Sequence, residues 1–230
     1  MDFDEFAQDY QKIHSKNIRL SGETPDYFHR YKLNLVKNFY CRNKLKEPKK
    51  ILDFGCGIGK IEQHILSYFP NSKVIGIDSS TESIDRAKSF FKKENFSFYI
   101  SDGSPLPFAN SSFDAVVLFC VLHHIAAEDR HDIMQEIRRV LSQRGYLFLV
   151  EHNPINPLTK HIVKNCPFDK DAQLIREKDC SRFLEKLGFS MIKSDYIVFF
   201  PSFLKVFRPL EKYLKFLPFG AQYFIVAKKD

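Results

Sequence analysis

A glycine-rich turn between a buried strand and a helix is the feature that most constrains the fold of this chain. Residues 51–59 read ILDFGCGIG, and an apolar pattern at helical spacing follows them. Glycines let the backbone turn tightly and let a ligand approach closely, and the start of the helix offers unpaired N–H groups. The spacing G-x-G-x-G differs from the dinucleotide fingerprint G-x-G-x-x-G. Asp53 would repel a pyrophosphate but would suit a cationic group such as a sulfonium or an α-amine.

Strands and helices alternate along the chain after this turn. Short apolar runs are separated by segments whose apolar residues recur at helical spacing. Such alternation predicts an α/β fold with a mainly parallel sheet and right-handed crossovers. The predicted strands cover residues 51–54, 73–78, 96–100, 114–119, 145–150, 191–200 and 222–227, and the predicted helices cover 60–69, 81–91, 130–141 and 179–187.

The length of 230 residues suits a single domain. We expect a helical cap over residues 1–49, a cofactor-binding core over 50–150, and a substrate lid with C-terminal strands over 151–230. The five cysteines form no CxxC pair, which predicts neither a zinc knuckle nor a thioredoxin-type pair and favours a cytoplasmic location. The acidic N-terminus lacks the apolar region of a signal peptide, and the longest apolar run, 115–122, is too short to span a bilayer.

Two more carboxylates follow successive predicted strands. Asp78 closes the second strand and can accept hydrogen bonds from both hydroxyl groups of a ribose. Asp102 and Gly103 follow the third strand, where they are well placed for an adenine amine. Ligands of open α/β sheets bind at the carboxyl ends of the strands, so these carboxylates and the glycine turn together predict a nucleotide-type site.

At these positions the sequence resembles the class I S-adenosylmethionine-dependent methyltransferases, within the small-molecule methyltransferase group. The resemblance is strong over about residues 50–150, and it extends to the C-terminus through residues 187–189 and the last two strands. It is carried by LDFGCGIG (52–59), GID (76–78), SDG (101–103), LPF (106–108), SFD (112–114), VLHH (121–124), RRVL (138–141) and GYL (145–147).

The resemblance implies a Rossmann-like sheet of seven strands in the order 3-2-1-4-5-7-6, with an antiparallel seventh strand, helices on both faces and an N-terminal helical cap. It implies S-adenosylmethionine as cofactor and S-adenosylhomocysteine as product. The loop glycines would lie along the methionine and ribose, Asp78 on the ribose, Asp102 on the adenine, and Phe119 beside the methionine. Tyr10 would lie in a helix that closes over the cofactor. The full set implied for cofactor binding is Tyr10, Asp53, Gly55, Cys56, Gly57, Gly59, Asp78, Ser79, Asp102, Gly103, Phe119, Cys120 and His124.

Histidines follow the fourth and fifth strands, where the resemblance places the transferred methyl group. His152 is the preferred candidate for a general base, because the ordinary pKa of histidine suits proton acceptance near neutral pH. Glu151 is expected to orient His152 or to cap the next turn. His124 is a further catalytic candidate, although the pair His123-His124 is more typical of a cofactor-side or packing role.

Two later segments bear on the acceptor. Residues 151–171 contain two Asn-Pro pairs and predict either a functional lid or a plain connection. They are similar to a segment of bacterial methyltransferases associated with surface-polysaccharide or glycolipid genes. Residues 202–217 combine Phe and Leu with four basic residues. They predict either an amphipathic element on an anionic membrane or a helix packed on the domain.

These features favour methyl transfer to a small molecule, with a hydroxyl of a sugar or of a glycan or glycolipid intermediate as the first candidate. Quinone or lipid methylation at carbon or oxygen is the alternative. Alternatives of another class are a nicotinamide-dependent oxidoreductase and a non-catalytic, cofactor-binding partner protein. Strand four is followed by CVLH rather than by the Asn-Pro-Pro-aromatic motif of nucleic-acid amino-methyltransferases, so no nucleic-acid partner is expected. The sequence shows no metal-ligand spacing, so no metal is expected, and it leaves the oligomeric state open.

Overall fold

A seven-stranded sheet forms the centre of the molecule in the computed structural model, which describes residues 17–91 and 94–229. The strands are β1 (Lys50–Phe54), β2 (Lys73–Asp78), β3 (Phe96–Ile100), β4 (Phe113–Phe119), β5 (Leu141–His152), β6 (Phe189–Ile197) and β7 (Gln222–Lys229). They lie in the order β3-β2-β1-β4-β5-β7-β6. Strands β1 to β5 pair in parallel, and β7 is antiparallel to both of its neighbours. The strand order and the antiparallel seventh strand are therefore confirmed.

Seven α-helices accompany the sheet in the described part of the chain. They are α1 (Pro25–Arg42), α2 (Glu62–Tyr68), α3 (Thr81–Phe90), α4 (Arg130–Val140), α5 (Pro157–Lys164), α6 (Glu177–Lys186) and α7 (Glu211–Leu214). Short 3-10 segments cover Ile18–Ser21, Leu122–His124, Pro167–Asp169 and Ser202–Leu210.

Polar side chains at the helix starts explain where several helices begin. The Ser80 hydroxyl accepts a hydrogen bond from the backbone N–H of Ser83 at 3.0 Å and caps α3. The Asn156 side chain does the same for α5, whose first residue is a proline. Thr24 caps α1 through the N–H of Tyr27 at 3.3 Å, again with a proline at the first position.

Apolar side chains cover both faces of the sheet. On one face, α4 and α6 pack side chains such as Ile137 and Leu184 against β4, β5 and β7. On the other face, α1 and α2 contribute Val36, Phe39 and Ile65. Burial on both faces is typical of parallel strands, whose sequences are then almost wholly apolar. It leaves the carboxyl ends of the strands as the edge where ligands can reach the sheet.

Several element bounds differ from the sequence prediction. Strand β5 runs from Leu141 to His152 and is longer than the predicted 145–150, because Leu141 pairs with Phe113 of β4 and residues 146–152 pair with β7. The segment 151–171, expected to be a lid or a plain connection, contains α5, which follows the Asn156 cap and begins at Pro157. Strand β6 ends at Ile197 rather than at residue 200.

Asn153 ties the start of this segment to the chain before β7. Its Nδ2 donates to Pro218 O at 3.0 Å and to Gly220 O at 2.8 Å, and its Oδ1 accepts from the N–H of Ile155 at 3.0 Å. The residue is fully buried. Buried amides with every hydrogen bond made hold neighbouring segments in one arrangement.

Among the described residues, no helix combines the length and the apolar character needed to cross a bilayer.

Candidate functional site

A cavity of about 610 Å³ opens at the carboxyl ends of β1, β2 and β4, a size typical of small-molecule sites. Most of the residues expected to bind the cofactor line it. These are Asp53, Gly55, Cys56, Gly57, Asp78, Ser79, Asp102, Phe119, Cys120 and His124. Tyr10 lies outside the described residues, so its expected position near the cofactor stays a prediction.

The glycine turn is held against β2 by backbone hydrogen bonds. The N–H groups of Gly55 and Cys56 both donate to Ile77 O, at 2.8 and 2.9 Å. Gly57 has φ +53°, and a Cβ placed on it would meet no atom within 4 Å. This glycine therefore leaves open space on the cavity side of the turn.

The Asp78 carboxylate lies between the glycine turn and the start of α3. Its Oδ2 accepts from the N–H of Gly57 at 2.8 Å, and its Oδ1 accepts from the N–H of Ser80 at 3.0 Å. These bonds fix the carboxylate at the wall of the cavity. A carboxylate fixed at this place, at the end of the second strand, can accept hydrogen bonds from two vicinal ribose hydroxyls.

Two further carboxyl groups, those of Asp53 and Glu62, are buried next to the glycine turn. Asp53 and Glu62 are 3% and 1% exposed, and each of them affects the pKa of the other. Burial raises both pKa values. The charge of Asp53 raises the pKa of Glu62 further, whereas a side-chain hydrogen bond to Glu62 lowers that of Asp53. Two carboxyls in contact share a proton when they cannot both ionise. Asp53 lines the cavity, so a cationic ligand group can restore its full negative charge.

Two of the expected cofactor glycines do not line the cavity. A Cβ at Gly59 would lie 2.7 Å from the Phe91 ring, and a Cβ at Gly103 would lie 2.9 Å from the Phe54 ring. These glycines therefore permit close packing next to the site, and their predicted contact with cofactor stays a prediction.

Lys32 and Gln222 meet at Cys120 on another wall of the cavity. Lys32 Nζ donates to Cys120 Sγ at 3.2 Å and lies 5.6 Å from the centroid of the Phe119 ring. Gln222 Nε2 lies 3.4 Å from the same sulfur. Gln222 Oε1 is buried and accepts no hydrogen bond from the described residues. A buried amide oxygen of this kind, in a cavity wall, is a natural acceptor for a ligand O–H or N–H.

The sequence suggested that Glu151 orients His152, but Glu151 contacts His123 instead. Its Oε2 contacts Nδ1 of His123, and its Oε1 accepts from the N–H groups of Val121 and Leu122 at 3.0 and 2.7 Å. The carboxylate therefore fixes the loop after β4 and the ring of His123. The reason is the register: Glu151 and His152 point to opposite faces of β5.

His123, His124, His152 and Asp169 all line the cavity and lie close together. The ring centroid of His123 lies 4.1 Å from that of His124 and 5.1 Å from that of His152. Asp169 Oδ1 lies 3.4 Å from Nε2 of both His123 and His124. We call these four residues the histidine cluster.

The charges in the histidine cluster are unevenly distributed. Burial lowers the pKa of His123, but the charge of Glu151 and two hydrogen-bonded carboxylates outweigh it and raise this pKa to about 10. Burial and the charge on His123 lower the pKa of His124 and of His152 to about 4 each. The same cationic neighbours hold the pKa of Asp169 below its usual range, against the effect of burial. His152 is therefore neutral near pH 7, and the same shift makes it a weak proton acceptor.

Four residues of the site were missed by the sequence argument. Lys32 belongs to the predicted helical cap, Glu62 follows the glycine turn, and Asp169 and Gln222 come from segments far along the chain. Helical spacing places Lys32 among the buried positions of α1, so its burial could have been predicted from the sequence. The other three required knowledge of the tertiary contacts.

Comparison with known proteins agrees with this geometry. Residues 52–149 match a family model described as a methyltransferase domain. The chain is 25% identical over 214 residues to a demethylmenaquinone methyltransferase of Chlamydia pneumoniae, covering 83% of this chain and 87% of that protein. It is 29% identical over 153 residues to an uncharacterized methyltransferase of Bacillus subtilis, covering 65% of this chain and 57% of that protein. For several relatives the match spans only about half of their length, such as 51% of a sterol 24-C-methyltransferase of Aspergillus fumigatus.

Solved structures share the fold. An S-adenosylmethionine-dependent methyltransferase from Methanosarcina mazei superposes with a TM-score of 0.60 at 24% identity, over 82% of this chain and 96% of that one. One from Mesorhizobium loti gives 0.62 at 18% identity, over 86% and 100%. The [4+2]-cyclase SpnF also has this fold, with a TM-score of 0.64 at 17% identity, over 86% of this chain and 81% of that one. The fold alone therefore does not fix the reaction.

Residues 52–149, which contain the glycine turn, match the methyltransferase-domain family, and the strand order is the one implied by the resemblance to class I S-adenosylmethionine-dependent methyltransferases. Residues after this matched domain complete the sheet and line part of the cavity.

Proposed function

We propose that the protein transfers the methyl group of S-adenosylmethionine to a hydroxyl group on a sugar or glycan intermediate carried by a lipid. The observation that carries this proposal is the two-part character of the region around the histidine cluster and Gln222, which we call the acceptor end of the cavity. Hydrogen-bonding side chains line its interior, and an exposed aromatic and basic segment adjoins its mouth. A polar headgroup on an apolar anchor matches both parts.

The cofactor supports the first half of this function. In-line attack on a sulfonium needs a positioned donor and acceptor in a dry site, because the sulfur leaves as a neutral thioether. Asp78 would hold the ribose, and Asp53 would face the α-ammonium group. The nucleophile oxygen would bond to the methyl carbon as the carbon–sulfur bond breaks, and the hydroxyl proton would leave to a neighbouring acceptor.

The interior of the acceptor end supplies partners for a hydroxyl. Gln222 Oε1 can accept its hydrogen bond, because no described residue occupies this buried oxygen. His152 is the candidate acceptor of the hydroxyl proton, but its lowered pKa makes it a weak base, so the hydroxyl needs a second source of activation. An aliphatic hydroxyl has a high pKa, so a neighbouring proton acceptor or other activation is required.

The segment after β6 supplies the apolar surface. Phe203, Val206 and Phe216 are 76%, 75% and 77% exposed, and Phe207, Leu210, Tyr213 and Phe219 are also exposed. We call residues 203–219 the aromatic rim. Lys205 and Lys212 are exposed within it, while Val198, Phe199 and Pro201, which precede it, line the cavity. Exposed aromatics mixed with lysines are typical of elements that lie in an anionic membrane surface.

Vesicle flotation tests the aromatic rim. Anionic phosphatidylglycerol vesicles should carry the protein upward, and neutral phosphatidylcholine vesicles should do so much less. Replacing Phe203 and Phe216 with serine should weaken binding at least about tenfold, since each buried aromatic contributes roughly 1.5–3 kcal/mol. The matched control is Phe90→Ser, because Phe90 is 61% exposed on α3, beside the opposite edge of the sheet. Equal flotation of both variants would contradict the membrane part of the proposal.

A methyl-transfer assay tests the acceptor. Labelled S-adenosylmethionine is incubated with a lipid-linked sugar or with the same sugar free in water. We expect label in the lipid-linked product, as a methyl ether, and a loss of this transfer in the rim double variant with S-adenosylhomocysteine affinity unchanged. Equal transfer to both acceptors would contradict the lipid-linked assignment.

Quinone or lipid methylation at carbon is the second candidate, favoured by the relatives named as demethylmenaquinone and sterol methyltransferases. The same assay with a demethylated quinone separates the two, because nuclear magnetic resonance distinguishes a carbon-bound from an oxygen-bound methyl group. A cytoplasmic location remains a prediction, supported by five free cysteines.

A further inference from the structure

Two histidines and one carboxylate of the histidine cluster have donor atoms that face each other. One donor atom from each of His123, His124 and Asp169 lies within 4.8 Å of the others. His123 and Asp169 are brought together although they follow different strands and are far apart in the sequence. Such convergence of imidazole and carboxylate ligands needs a specific tertiary arrangement, which local sequence spacing cannot reveal.

Glu151 orients this group. It contacts Nδ1 of His123 and is itself held by two backbone N–H groups, so Nε2 of His123 points towards Asp169. His123 is 1% exposed, and its Nε2 lies 3.4 Å from Asp169 Oδ1. A carboxylate on the far nitrogen of a histidine is the usual support of a metal-binding imidazole.

We propose that His123, His124 and Asp169 bind one divalent transition-metal ion, with Zn²⁺ as the best match. Two imidazoles and a carboxylate form a ligand set that Zn²⁺ uses in catalytic sites, where a fourth position stays open to water or substrate. An all-oxygen set would instead favour Mg²⁺, Ca²⁺ or Mn²⁺. All three residues line the cavity, so the open position faces the acceptor end.

The use of this ion in catalysis rests on the proposed function, whereas its binding does not. An acceptor hydroxyl that occupies the open position would lose its proton more readily, because the ion stabilises the alkoxide. That proton would pass to a neighbouring base or to water, and the oxygen would then take the methyl group from the sulfonium. This arrangement supplies the activation that an aliphatic hydroxyl needs.

Calorimetric titration with zinc chloride tests binding without any acceptor. Protein first freed of metal with a chelator should bind one Zn²⁺ per chain near neutral pH. His124→Ala and Asp169→Asn should each weaken binding at least about tenfold, whereas His131→Ala should leave it unchanged, because the exposed His131 pairs with Asp132 on α4. Folding is checked by far-ultraviolet circular dichroism, and all three variants should give the spectrum of the wild type. Absent binding, or equal binding by all variants, would overturn the proposal.

Two further measurements test the ligand set and its support. The cavity wall also holds Cys56, Cys120 and Cys166, so Co²⁺ is added and its absorption recorded. Nitrogen and oxygen ligands should give no sulfur-to-metal charge-transfer band, and a strong band would overturn the assignment. Glu151→Gln should weaken Zn²⁺ binding by roughly 10–100-fold, the usual effect of removing a supporting carboxylate. A chelated enzyme that transfers methyl groups at full rate would overturn the catalytic use of the ion while leaving the proposed function standing.

Discussion

Replacing Gly57 with alanine separates cofactor binding from folding. A Cβ at this position meets no atom within 4 Å, so the folded protein loses only the cost of a positive φ, about 1–2 kcal/mol. The same methyl group projects from a turn that lines the cavity, where the methionine and ribose must approach the backbone. We expect affinity for S-adenosylhomocysteine to fall at least about tenfold, equivalent to about 1.4 kcal/mol.

Gly55→Ala is the matched comparison in the same turn. Its φ is +77°, and its Cβ would lie 2.5 and 2.8 Å from the two Cγ atoms of Val121. Strain and overpacking together predict a loss of about 2–5 kcal/mol in the free energy of unfolding. Thermal unfolding with and without S-adenosylhomocysteine, together with calorimetry, measures both effects. The reasoning is refuted if Gly57→Ala binds the ligand as well as the wild type, or if it is as unstable as Gly55→Ala.

Three more predictions concern other parts of the site. Because burial raises the pKa values of Asp53 and Glu62, the folded state holds protons that the unfolded chain releases, so stability should fall as the pH rises above the ordinary carboxyl range. The free energy of unfolding, measured by denaturation at several pH values, should depend less on pH in Glu62→Gln than in the wild type. An equal pH dependence in both proteins would contradict the shared proton. Asn153→Ala should cost about 2–4 kcal/mol of unfolding free energy, because it leaves buried carbonyl groups unpaired; a loss below about 1 kcal/mol would contradict that role. Asp78→Asn should weaken binding of S-adenosylhomocysteine at least about tenfold while NAD fails to bind either form, and tight NAD binding would count against the site as described.

Most of the fold could be predicted from the sequence because it depends on local patterns. The turn at 51–59 combines glycine spacing with a strand before it and a helix after it, and Asp78 ends the next strand. Resemblance then implied the strand order that the structure confirms. Strand ends and the helix within 151–171 were less accurate, because pairing with β7 and the Asn156 cap decide them.

The acceptor end could be predicted only in part. His152 and His124 follow strands whose carboxyl ends meet at the cavity, so the sequence located them. The partner of Glu151 could not be predicted, since the side-chain alternation of β5 and the path of the loop after β4 together direct it to His123. Asp169 and Gln222 reach the cavity through long-range packing that no local pattern records.

The most direct test of the account is a crystal structure of the protein with S-adenosylhomocysteine. The account predicts the ribose hydroxyls on Asp78, the adenine beside Asp102, and the sulfur facing the histidine cluster. A ligand bound elsewhere, or one whose sulfur points away from His124 and His152, would contradict it.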